Sequence, residues 1–90
     1  METTIKTYTT SELLDFVVRV SKEHDEGKRD SACVDAKLYG SIVGVNIYLE
    51  WYEGKLRCEE VLGERYRTSL KKFRERFSDK RWVLHGDNTD

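Results

Sequence analysis

The sequence predicts an α+β domain: a three-stranded antiparallel meander with two helices on one face, in the order α-β-β-β-α. Three observations predict it. Apolar and polar residues alternate through positions 32–62, the period of half-buried strands. Gly40-Ser41 and Glu53-Gly54 break that run into two hairpins. On either side of it, apolar residues recur at helical spacing. Ninety residues, 38% of them hydrophobic, suffice for one small core. The domain is expected over residues 1–85, with 86–90 a frayed tail and a short N- or C-terminal strand as an addition.

TTIKTY, residues 3–8, alternates and reads as a short edge strand. Thr9-Thr10-Ser11-Glu12 then reads as a capping box, in which a hydroxyl and a Glu three residues on satisfy each other's backbone N–H. In the helix that follows, Leu13, Leu14, Phe16, Val17, Val18 and Val20 cover a broad arc, so the helix should be well buried. Asp15, Arg19 and Lys22 mark its wet side. His24 falls near the centre of the arc at the helix end, in a capping or packing role, and residues 25–31 form a charged loop.

In the strands, Ala32, Val34, Ala36 and Leu38 share a face with Val43, Val45, Ile47, Leu49 and Trp51, and with Leu56, Cys58 and Leu62. Pairing Tyr39 with Ile42 and Tyr52 with Lys55 puts all these sets on one side, whereas a one-residue slip would invert a strand. Glu60 breaks the pattern by falling on the core face, in the row of Ile47 and Val34. An edge position explains it, since an inward charge blocks edge-to-edge pairing; a buried acid with a role is the competing reading. Tyr66, Leu70, Phe73 and Phe77 recur at i, i+4, i+7 and i+11, which predicts a second amphipathic helix over 66–77, ended by Ser78-Asp79. WVLH, residues 82–85, adds a short strand or packs as a tail.

The inventory for chemistry is thin. His24 and His85 belong to no metal or catalytic motif, and no glycine-rich phosphate loop is present. Asp25-Glu26 and Glu59-Glu60 are adjacent residues that diverge in regular structure, so no metal and no cofactor is expected, and no enzyme. Cys33 and Cys58 are too few for a disulfide framework, lack zinc spacing, and fall on opposite faces two strands apart. The longest apolar runs are three residues, so no membrane partner is expected. METTIKTYTTSELL has no secretory pattern, and the expected setting is cytoplasmic.

Two surfaces stand out. The open sheet face would carry Tyr39, Tyr48, Tyr52, Ile42, Val61, Asn46, Lys37, Lys55 and Arg57. Tyr with Arg is the composition of protein interfaces, and it would also suit base stacking. The second surface is RYRTSLKKFRERFSDKR, residues 65–81, with eight cations against two acids; segment 64–81 carries +5 in a chain of net charge −1. Arg65, Arg67, Lys71, Lys72, Arg74 and Arg76 form a candidate basic patch, although a solvated helix face predicts the same placement and only the excess of one sign points to a contact.

The helix–three strands–helix order is similar to that of double-stranded-RNA-binding domains, with Ser69-Leu70-Lys71-Lys72 near the start of the second helix, where that family clusters basic residues. However, Tyr39-Gly40-Ser41 is shorter than the hairpin loop that family sends into a minor groove, and Phe73 and Phe77 stand where it packs small residues. The chain is not assigned to it. The expected function is a non-enzymatic protein-binding domain acting by surface complementarity, as an adaptor, subunit or inhibitor. Its size and lack of motifs resemble the small inhibitors of phages and other mobile elements. Tyr39, Tyr48, Tyr52, Arg57, Lys55 and Lys37 are the expected contacts with a protein partner, and homodimerisation through the sheet is a further expectation. The alternative is an RNA- or DNA-binding module using the basic helix.

Overall fold

The computed structural model describes residues 5–40, 46–60 and 63–84. The elements in chain order are β1 (Tyr8–Thr9), α1 (Thr10–Asp25), β2 (Val34–Leu38), β3 (Asn46–Tyr52), β4 (Lys55–Glu60), β5 (Arg65–Thr68), α2 (Leu70–Arg76) and β6 (Arg81–Leu84). The class is α+β with two helices, as expected, but the sheet has six strands in the order β1-β6-β2-β3-β4-β5, with every neighbouring pair antiparallel. The three-stranded meander is therefore its middle. The C-terminal strand β6 enters the sheet between β1 and β2, and β5 closes the far side.

The capping box forms as the sequence predicts. Thr9 Oγ1 accepts from the Glu12 N–H at 3.1 Å, and the Thr9 N–H donates to Glu12 Oε1 at 2.8 Å. The Thr9 backbone N–H, and after it the Thr9 hydroxyl, hold the Glu12 carboxyl below its usual range. From there α1 buries Leu13, Leu14, Val17 and Val20 against the sheet, with Phe16 and Val18 half-buried and Asp15, Arg19 and Lys22 outward. The Ser21 hydroxyl donates to the Trp51 carbonyl at 2.8 Å and ties the helix to β3. Of the two roles expected for His24, packing is overturned, since it is exposed; its Nδ1 lies 3.0 Å from the Arg29 carbonyl in the turn after the helix.

β3 and β4 pair in the expected register, with Tyr52 opposite Lys55 and Ile47 opposite Glu60. The β2–β3 pairing is shifted by two residues: Ala36, not Val34, faces Ile47, and Val34 faces Leu49. A shift of two preserves every face, which is why alternation alone could not detect it. Ile42, Val43 and Val45 lie outside the described residues, as do Val61, Leu62, His85 and the tail at 86–90.

The second helix differs more. It spans Leu70–Arg76 rather than 66–77, because Arg65–Thr68 is a strand. Ser69 makes the break: its hydroxyl accepts from the Lys72 N–H at 3.1 Å and caps the helix. Gly63, at φ 102, adopts a left-handed conformation that favours glycine at the turn between β4 and β5.

β5 also overturns the edge explanation of Glu60, since β4 is an interior strand. Glu60 sits on the core face at the margin of the sheet, where Tyr66 Oη donates to it at 3.4 Å and Arg76 pairs with it at 3.8 Å. Arg76 in turn lies over the Tyr66 and Phe77 rings, 5.4 and 5.2 Å from their centroids.

One core unites these parts. Val34, Ala36, Ile47, Leu49, Leu56, Cys58, Trp82 and Leu84 from the sheet meet the apolar side of α1 and Phe73 of α2. Phe73, Phe77 and Trp82 form an aromatic triad with ring centroids 4.7 to 6.0 Å apart. Both helices lie on this face, and among the described residues no helix covers the other face of the sheet.

Candidate functional site

The uncovered face is built by the other half of each strand's alternation. Asp35 and Lys37 on β2, Asn46, Tyr48, Glu50 and Tyr52 on β3, Lys55, Arg57 and Glu59 on β4, and Arg65 and Arg67 on β5 all point to it. Tyr48 and Tyr52 belong to this side and are 39% and 47% exposed, and Tyr39 is 52% exposed; among the described residues Ile5 is the one other large hydrophobic so exposed. Five of the six expected contact residues therefore share one face, and Tyr39 lies exposed in the turn after β2. They do not form one cluster, however. Tyr39 lies two residues beyond Lys37, which faces Asn46, and Tyr52 lies at the other end of β3. At the usual rise per residue, Lys37 and Tyr52 stand roughly 20 Å apart along the strands, with Tyr39 in the turn beyond Lys37.

Between them is a shallow depression of about 340 Å³, over β3, β4 and β5, lined by the side chains of Cys33, Tyr48, Glu50, Arg57, Glu59, Arg65 and Arg67. The register orders its charges. Glu50 faces Arg57, which faces Arg67; one row along, Tyr48 faces Glu59, which faces Arg65. Arg57 Nη1 pairs with Glu50 at 3.3 Å, and its guanidinium lies 5.3 Å from the Tyr52 ring centroid. Arg65 pairs with Glu59 at 3.3 Å. Arg67 has no carboxylate within ion-pair distance among the described residues.

The Cys33 thiol is raised above its ordinary value, first by burial and then by the Glu50, Asp35 and Glu59 carboxylates. It stays protonated near neutral pH and is a poor nucleophile there. Among the described residues, no three His, Cys, Asp or Glu side chains come together to hold a metal ion. None of their helices is long and apolar enough to cross a membrane. Asp35 Oδ1 and Asn46 Oδ1 are shielded from solvent and make no hydrogen bond among the described residues.

The basic stretch 65–81 does not stay together. Arg65 and Arg67 lie on β5 and face the depression. Lys71, Lys72 and Arg74 lie exposed on α2, across the sheet from it, and Arg76 is engaged by Glu60 and two aromatic rings. Placing Arg65 and Arg67 on a helix hid their kinship with Arg57. The signal that reveals it is local: in RYRT the two arginines alternate with Tyr66 and the β-branched Thr68, and Ser69 is a helix cap. Cys33, Glu50 and Glu59, also part of the depression, carry no motif.

The chain matches no protein-family model, no curated protein and no solved structure.

Proposed function

We propose that this chain is a small protein-binding domain whose contact surface is the uncovered face of the sheet, acting by surface complementarity as an adaptor, subunit or inhibitor. One observation carries the reading: exposed Tyr48 and Tyr52 share that face with Arg57, Arg65 and Arg67, with Tyr39 exposed in the turn after β2, while the opposite face is committed to the core. Tyr and Arg supply most of the binding energy at protein interfaces because each combines large contact area with directed polar groups. A standard interface takes about 800 Å² from each partner, roughly an eighth of this molecule's 6408 Å² surface. A β-sheet presents such an area on a backbone already ordered before binding, so the ordering cost falls on side chains alone. A cytoplasmic location belongs to the same proposal.

Lys71, Lys72 and Arg74 on the exposed side of α2 favour a second reading, contact with RNA or DNA phosphates. The two separate by salt and by position. On the protein-binding reading, Tyr48→Ala retains the fold and weakens partner capture by about thirtyfold, as hot-spot tyrosines do. Capture that survives Tyr39→Ala, Tyr48→Ala and Tyr52→Ala together contradicts the reading. A gel shift with mixed RNA and DNA at low salt that fades steeply as salt rises, and disappears on charge reversal at Lys71 and Lys72, favours the alternative.

A further inference from the structure

We infer that the depression on the uncovered face is a subsite for a single carboxylate side chain of a protein partner, with Arg67 as its principal donor. The inference rests on the protein-binding reading above and says what the partner carries.

Arg57 and Arg67 are directly opposite on neighbouring antiparallel strands. Side chains so placed have Cβ atoms about 5 Å apart, and like charges there disfavour the pairing. Arg57 relieves part of this by turning toward the β3 side, onto Glu50 and the Tyr52 ring. Arg67 has no such outlet, and among the described residues no carboxylate pairs with its guanidinium, which stands beside a concave surface. A guanidinium presents its donors in a planar fork that matches the two oxygens of a carboxylate.

The charge count selects the ligand. Three arginines and two glutamates line the depression, and Glu50 and Glu59 each neutralise one arginine. One positive charge remains, which suits a monoanion. A phosphate dianion or a nucleic-acid backbone would bring further negative charge against Glu50 and Glu59. Tyr48, beside them at 39% exposure, offers both a ring face and a hydroxyl to a peptide lying across the strands.

The test is an NMR titration of the full chain that follows the arginine Nε–Hε resonances. The probes are a Ser/Gly hexapeptide with blocked ends and one central Glu, inorganic phosphate and a ten-nucleotide oligothymidylate. The expected result is a shift centred on Arg67 and its neighbours with the peptide, and weaker shifts there with the other two probes. Arg67→Glu is expected to weaken the peptide's binding by about tenfold or more. The same change places an acid opposite Arg57, so its Tm should equal or exceed the parent's. Arg67→Lys keeps the charge but loses the fork, and should fall between the two. Peptide shifts confined to Lys71, Lys72 and Arg74, unchanged binding in Arg67→Glu, or a tighter oligothymidylate complex at Arg67 would each overturn the subsite. If partner capture still depends on Tyr48 while the peptide ignores Arg67, the subsite alone fails. If capture ignores all three tyrosines, the underlying reading fails.

Discussion

At the scale of single residues, one hydroxyl joins three elements. Thr10 Oγ1 accepts from Trp82 Nε1 at 3.0 Å and donates to the Phe77 carbonyl at 2.6 Å, linking the first residue of α1 to β6 and to the end of α2. Thr10 and Trp82 are both buried, so the indole N–H could not turn to water if the hydroxyl were lost. Thr10→Val keeps the shape, orphans a buried indole N–H, and should cost about 2–3 kcal/mol in a urea titration. Thr10→Ser should retain most of that stability, and equal losses in the two variants would refute the link. Thr10 is legible in the sequence only as part of a cap, since its partners lie 67 and 72 positions away. Cys58 supplies a pH dependence. Burial raises its thiol from 9.0 to about 12, against a smaller opposing effect of the Tyr66 hydroxyl, and burial also raises Tyr66. Between those values the unfolded chain releases a proton that the folded chain keeps, so stability is full below pH 9 and falls as pH rises toward 12. Unfolding free energies measured from pH 8 to about 10.5 should decline less steeply for Cys58→Ala than for the parent. An unchanged slope would mean that the thiol is not the source.

At the scale of elements, the strands that carry strict alternation between glycine-containing breaks were legible, and those that carry a double pattern were not. β2, β3 and β4 owe their faces to a period that only a strand satisfies, and their faces agree with expectation even where the β2–β3 register differs by two. β5 was hidden because Tyr66 stands four residues before Leu70, so that one tyrosine fits both a helix stripe and a strand. Tertiary pairing with β4 decided in favour of the strand, and Ser69 set the boundary. β6 was half legible: WVLH is apolar and short, and nothing local says that it enters the sheet between β1 and β2. That position makes β6 essential. It contributes Trp82 and Leu84 to the core and bridges α1's entry strand to β2. A chain ending at Lys80 should therefore lose cooperative unfolding and its near-ultraviolet circular dichroism. A truncated chain that melts like the parent would show β6 to be dispensable. α2, with seven residues, is too short to persist alone and depends on Phe73 in the core.

At the scale of the whole molecule, the fold divides the chain into a face that makes the core and a face that is free to make contacts. The Tyr-rich face was legible because strand alternation assigns both faces at once. The depression was not, because it depends on β5 bringing Arg65 and Arg67 beside Arg57. The charge imbalance of the sequence takes a new form as a result. Its basic segment is shared between the sheet face and α2, and the sheet face interleaves its arginines with Glu50 and Glu59. Such an interleaved surface favours a protein partner of matched pattern over a uniform polyanion. A second copy of the chain is one candidate, and light scattering at rising concentration would reveal it as a dimer lost on Tyr48→Ala. The most direct measurement is photo-crosslinking in cells from a benzoyl-phenylalanine placed at Tyr48, with a matched placement at Arg74 on α2. The expected result is discrete protein adducts from position 48 and none from 74. Adducts from position 74 alone, or nucleic-acid adducts from either, would contradict the assignment of the sheet face as a protein-binding surface.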